Sequence, residues 1–130
     1  MKYLVGYNGS PSSKRALQLA CNQAEKADAL VYVVYSMEGG STETEEDIRK
    51  AAEALEEAKI FLSDLSVRHE TLQLVRGFSP GEDLVKFAAE NGINQIFLGL
   101  QKRSKAQKIL LGSTAQYIIL KAPCAVTTTK

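Results

Sequence analysis

Leu30-Val31-Tyr32-Val33-Val34-Tyr35 is the run that decides the fold. Six apolar or aromatic β-formers in a row, with no polar residue alternating among them, describe a strand buried on both faces, as in the interior of a parallel sheet. Parallel strands need long crossovers, and the segments on either side have helical period. Upstream, Ser10 is placed as an N-cap with Pro11 at the first helical position, where its missing N–H costs nothing. Ala16, Leu17, Ala20, Cys21 and Ala24 then recur at helical spacing and form a small-residue face suited to close packing on a sheet. Residues 2–7, before this helix, form a short β-rich run ended by the turn Asn8-Gly9.

The same alternation continues downstream. Glu38-Gly39-Gly40-Ser41 is a loop, and the acidic group Glu43, Glu45, Glu46 and Asp47 suits the first turn of a helix through its macrodipole. Ile48, Ala51, Ala52, Leu55, Ala58, Leu62 and Leu65 give an amphipathic helix of about six turns, with Glu46 and Lys50 paired at i,i+4 on its exposed side. Residues 70–76 alternate as a third strand ended by Gly77, and Ser79-Pro80-Gly81-Glu82 reads as a capping box for a helix that stops at Asn91-Gly92. Residues 95–98 form a fourth strand. A cationic loop, a helix through Leu120, a break at Pro123 and a last strand from Cys124 to Thr128 complete the chain. The order β-α-β-α-β-α-β-α-β implies an α/β fold: one doubly wound, mostly parallel sheet with helices on both faces, in a single domain over residues 1–130.

Bulk properties narrow the function classes. The 130 residues suffice for one buried core without disulfides or metals. A net charge of +1 gives no reason to expect a nucleic-acid partner. The opening apolar run is too short for a signal peptide and no run approaches a membrane span, so a cytoplasmic protein without a membrane partner is expected. Cys21 and Cys124 lack zinc or dithiol spacing and read as buried reduced thiols, and His69 reads as solvated. Gly9-Ser-Pro-Ser-Ser-Lys14 lacks the second glycine of a phosphate-binding Walker loop, and Asn8 stands where a phosphoacceptor domain needs a carboxylate. No catalytic set of Ser, His, Asp or Cys assembles, so no catalytic residue is assigned.

Ligands of such sheets sit at the carboxyl ends of the strands, where the strand order reverses. The loops after strands one and four therefore flank the expected crevice. The second of these, Gly99-Leu-Gln-Lys-Arg-Ser-Lys-Ala-Gln-Lys-Ile-Leu-Leu-Gly112-Ser113-Thr114, joins a strand to a helix through glycine, a basic cluster and Gly-Ser. Free N–H groups at a helix start, a neighbouring hydroxyl and local positive charge make a seat for phosphate. Lys102, Arg103, Lys105 and Lys108 leave two readings open: phosphate attraction, or a solvated basic loop. Ser113 is placed to cap the following helix, a role compatible with anion binding because both use the same N–H groups.

These residues resemble the universal stress protein family, whose ATP-binding members carry Gly-x2-Gly-x9-Gly-Ser/Thr. Gly99 matches the first glycine, Gly112-Ser113 the final pair, and Lys102 replaces the middle glycine. Asn8-Gly9-Ser10 stands where members carry Asp-Gly-Ser, and Ala122-Pro123-Cys124 matches their usual ending. The resemblance implies five parallel strands in the order 3-2-1-4-5, a nucleotide crevice between strands one and four, a homodimer joined through the strand from Cys124 to Thr128, and a part in stress tolerance. It places adenine near Val34 and phosphates from Gly99 to Gly112, Ser113 and Thr114, with Asn8 in place of the family aspartate. ATP, ADP or AMP is the implied ligand, with Mg only as carried by the nucleotide. Lys102 would oppose a glycine-like loop backbone by roughly 1–2 kcal/mol, and the basic cluster would offset that by attracting polyphosphate. Weak or conditional binding, a nucleotide-free dimer and slow ATP hydrolysis follow as three readings, in that order.

Overall fold

Alternation of side chains across strands, rather than along a single exposed face, sets the architecture. In the computed structural model, which describes residues 1–101 and 111–130, the elements run β1 (Lys2–Gly6), α1 (Pro11–Ala27), β2 (Leu30–Met37), α2 (Glu45–Asp64), β3 (His69–Val75), α3 (Pro80–Asn91), β4 (Gln95–Gly99), α4 (Ser113–Lys121) and β5 (Ala125–Thr129). The five strands form one parallel sheet in the order β3-β2-β1-β4-β5, as expected. Leu4 and Val5 of the central strand are both fully buried, one on each face.

Successive residues send their side chains to opposite layers. Tyr3, Val5, Val31, Val33 and Phe97 pack with the small-residue face of α1 and with Leu55, Ala58 and Leu62 of α2. Leu4, Tyr32, Val34, Ile96 and Leu98 pack with Leu84 and Phe87 of α3 and with Ala115 and Ile118 of α4. The register, with Val5 opposite both Val33 and Phe97, keeps each layer continuous. A slip of one residue would exchange the two layers.

Helix ends follow their local chemistry with two corrections. Ser10 caps α1, its Oγ accepting from the Ser13 N–H at 3.2 Å. The acidic start of α2 is a full capping box that the sequence reading did not resolve: Thr44 Oγ1 accepts from Asp47 N–H, and Asp47 Oδ2 accepts from Thr44 N–H. These bonds hold the Asp47 carboxyl below the usual carboxylate range. The expected capping box of α3 is absent: Ser79 Oγ donates to the Glu82 carboxylate at 2.9 Å and accepts from no backbone N–H. The cap of α4 is Gly112, not Ser113, which is the first helical residue.

Strand limits differ by small amounts. β2 extends two residues beyond Tyr35, because Ser36 and Met37 continue the pairing with β3. β5 starts at Ala125 rather than Cys124, since Ala125 is the residue that pairs with Gln95 at the start of β4. Cys124 is half-buried rather than buried, and Cys21, on the inner face of α1, is fully enclosed. His69 begins β3, one residue earlier than expected, with its Nδ1 2.7 Å from the Val67 carbonyl oxygen.

Burial first, and the Glu25 carboxylate second, push the Cys21 thiol from 9.0 up to about 12. The unfolded thiol ionises near its ordinary value, so the stability this group contributes is present below that pH and lost as pH rises toward the folded value. Denaturant titrations at about pH 8 and about pH 10.5 should show wild type losing about 2 kcal/mol more than Cys21→Ala over that interval.

Candidate functional site

The strand order reverses at β1, whose neighbours β2 and β4 carry their chains away to opposite sides. A cleft of about 200 Å³ opens there at the carboxyl ends of these strands. Gly6, Tyr7 and Asn8 supply its floor, and Val34 and Ser36 of β2 one side. Leu98, Gly99 and Leu100 form the opposite side, with Leu111, Gly112, Thr114 and Ala115 at the start of α4. Pro80 and Leu84 of α3 complete the lining, the start of α3 lying against Thr114 and Tyr117 of α4. The volume is below the about 300–1,000 Å³ of enclosed small-molecule pockets, as suits a ligand that keeps one side in solvent.

Of the residues singled out in the sequence, Asn8, Val34, Gly99, Gly112 and Thr114 meet at this cleft. Ser113 is exposed at the first helical position and is not part of the lining. Lys102, with the rest of the basic cluster, lies outside the described residues. Leu111 lines the mouth and is exposed, while Ile118 is core and Ile119 is exposed on the outer side of α4.

Each of the retained residues has a definite local role. The Asn8 side-chain oxygen accepts from the Ser10 N–H at 3.0 Å, so it closes the turn after β1, and Gly9 completes that turn with φ of 77°. An aspartate would do the same with its carboxylate; asparagine adds two amide N–H donors that a carboxylate lacks. Gly99 is required by contact. A Cβ there would lie 2.4 Å from the Ser12 carbonyl carbon and 2.6 Å from the Ser13 nitrogen, so the first turn of α1 sits directly on the end of β4. Val34 is fully buried, and its carbonyl accepts from the Tyr7 N–H at 3.0 Å.

The start of α4 is the electrostatically active edge. Gly112 has no side chain to cap the helix, and the first intrahelical bond runs from Gln116 N–H to the Gly112 carbonyl at 3.0 Å. The N–H groups of the first turn therefore keep their donor capacity, and the helix dipole adds partial positive charge. Tyr7 brings no base to the cleft: burial, with the Glu57 carboxylate adding to it, raises its phenol above the ordinary value. Among the described residues no group of three His, Cys, Asp or Glu side chains could hold a metal ion.

Comparison with known proteins fits this geometry. The model of the universal stress protein family matches residues 1–130. The chain belongs to that family. A universal stress protein of Methanocaldococcus jannaschii is 29% identical over 99% of this chain and 81% of its own length. A universal stress protein structure from Archaeoglobus fulgidus is 36% identical, with a TM-score of 0.88 over 99% of this chain and 96% of that one. A second Archaeoglobus fulgidus structure, a complex with dAMP, is 32% identical with a TM-score of 0.81, covering 99% and 95% of the two chains.

Sequence reasoning missed one part of the site. Ser36, at the end of β2, donates to Asp83 Oδ2 at 2.6 Å, and Asp83 is wholly buried in the first turn of α3. Arg76 neutralises it, with Nε and Nη2 each 2.6 Å from Asp83 Oδ1. The available signal was the place of Asp83 beside Leu84 and one turn before Phe87, on the face of α3 that must be buried.

The contact at Gly99 yields a direct test. Gly99→Ala forces α1 away from β4, and overpacking against backbone should cost about 1–3 kcal/mol, read as a lower thermal midpoint. Because α1 carries the Asn8 turn with it, ligand affinity measured on the folded fraction should fall as well.

Proposed function

We propose that this universal stress protein is an adenine-nucleotide-binding module of the cytoplasm, with AMP, ADP or ATP as ligand and a part in the response to stress. The observation that carries the reading is the start of α4 at Gly112, whose N–H groups, free of a side-chain cap, border a cleft with apolar lining from Val34, Leu84 and Leu98. An anion belongs at the first and a flat, largely apolar ring at the second, which together describe a nucleotide. The relative solved with dAMP supports it, being similar over nearly the whole of both chains.

In this reading Gly112 and Thr114 offer backbone N–H groups to the phosphates, with Ser113 beside them at the helix start, and the Asn8 amide donates to ribose or phosphate oxygen. Val34 borders the base. Gly99 acts by bringing α1 close, and Lys102 and its basic neighbours contribute charge that draws a polyphosphate toward the loop. Any Mg arrives with the nucleotide phosphates, since the described residues around the cleft supply no carboxylate cluster. Occupancy, rather than chemistry on the nucleotide, is the proposed signal.

The second element is a homodimer through the last strand. β5 is an edge of the sheet, paired only with β4 among the described strands, and Ile119 and Leu120 of α4 are exposed nearby in the chain. An uncovered edge of β-branched residues invites pairing with a second copy.

Calorimetric titration with AMP, ADP and ATP should show saturable binding, and no heat at millimolar ligand would refute the reading. Gly112 has φ of −64°, open to any residue, so Gly112→Asp should cap α4 without loss of thermal stability. Its carboxylate would stand in the phosphate seat and weaken binding at least about tenfold, or about 1.4 kcal/mol. Sedimentation velocity should find a species of twice the 14.2 kDa chain mass, and a monomer at every concentration would refute the dimer.

A further inference from the structure

Asn-Gly occurs twice in the chain, at Asn8-Gly9 and Asn91-Gly92, and the fold treats the two pairs in opposite ways. An asparagine before glycine can close a five-membered ring on the next peptide, because glycine has no side chain to screen its nitrogen from the carboxamide carbon. Whether the ring closes depends on what holds the two groups.

At Asn91-Gly92 both are held. Asn91 is the last residue of α3, and its Nδ2 donates to the Phe87 carbonyl at 2.9 Å. The Gly92 N–H donates to the Ala88 carbonyl at the end of the same helix. Taking the proton from that nitrogen breaks one of these bonds, and turning the carboxamide toward it breaks the other.

At Asn8-Gly9 neither group is held against attack. Asn8 is exposed, and among the described residues neither the Gly9 N–H nor the Asn8 amide has an acceptor. What the Asn8 side chain does have is a donor on its oxygen, the Ser10 N–H at 3.0 Å from Oδ1. That bond draws electron density from the carboxamide carbon and stabilises the charge that develops on Oδ1 when a nucleophile adds, as an oxyanion donor does. With Gly9 at φ of 77°, it also keeps the carboxamide curled over the Gly9 peptide.

We infer that Asn8 is a site of spontaneous covalent modification, deamidating through a cyclic imide while Asn91 is preserved. The Gly9 nitrogen, its proton taken by hydroxide, bonds to Asn8 Cγ, and the carbonyl electron pair moves onto Oδ1. The intermediate then collapses, and Nδ2 takes a proton from water and leaves as ammonia. A water molecule opens the imide at either carbonyl, giving aspartate or, where the main chain now runs through the former side chain, isoaspartate. In sum a carboxamide and water become a carboxylic acid and ammonia, with no change of oxidation state. Asn8 lines the cleft, so the conversion replaces two amide donors there with a negative charge. It does so whatever the cleft binds.

Incubation of the folded chain in mildly alkaline buffer, followed by peptide mapping with mass spectrometry, reads both sites in one sample. Asn8 should be lost at least about tenfold faster than Asn91. In denaturant, where neither set of bonds exists, the two rates should come within about threefold of each other. Peptides covering residue 8 should contain both aspartate and isoaspartate, and Asn8→Gln, which would need a six-membered ring, should stay unmodified. Equal loss of Asn8 and Asn91 from the folded chain would overturn the assignment. So would a ratio that survives denaturant unchanged, since the sequence rather than the fold would then set it. Aspartate at residue 8 with no isoaspartate would indicate direct hydrolysis and overturn the cyclic route.

Discussion

A parallel sheet closed by helices on both faces leaves its strands one free feature, their carboxyl ends, and in this chain everything functional depends on how tightly those ends are approached. The decisive contact is the approach of the Ser12 and Ser13 backbone to Gly99, too close to admit a Cβ there. It seats the first turn of α1 on the end of β4, although α1 follows β1 in the chain. Through it the turn at Asn8 and the loop leaving β4 become the two lips of one cleft. No hydrogen-bond pattern within a single βα unit would produce that proximity; it needs two units packed at van der Waals distance.

The cleft lining is chemically mixed, and that contrast is built from different parts of the fold. At one end a helix begins on a glycine, so its N–H groups are not satisfied by a side-chain cap. Beside it, β2, the end of β3 and α3 converge on the Arg76–Asp83 ion pair, whose carboxylate is buried, and Ser36, bonded to that carboxylate, lines the cleft. A buried carboxylate is costly unless fully partnered, and here Arg76 and Ser36 supply that partnership. The network also ties the end of β3 to the first turn of α3, which holds Pro80 and Leu84 in the cleft lining.

Several details show where local reading stops. Ser10 and Pro11 announced the start of α1 correctly because capping is decided within four residues. Ser79 carried the same signature and did not cap: its hydroxyl donates to the Glu82 carboxylate and accepts from no helix N–H. Gly99 reads as a phosphate-loop glycine in the sequence; in the fold its constraint is contact with α1. Asp83 and Ser36 left almost no trace in the sequence, because their partnership spans 47 positions and three elements.

By itself the sequence determined the order of elements, the parallel sheet with two helical layers, the family and the loops that flank the cleft, since periodicity, capping chemistry and motif spacing are local properties of a chain. Which faces of those loops meet, which glycine is a contact rather than a hinge, and which way the Ser36 hydroxyl points were decided only in three dimensions. Those outcomes depend on distances between residues far apart in sequence, and close packing converts such distances into hydrogen-bond direction and charge placement.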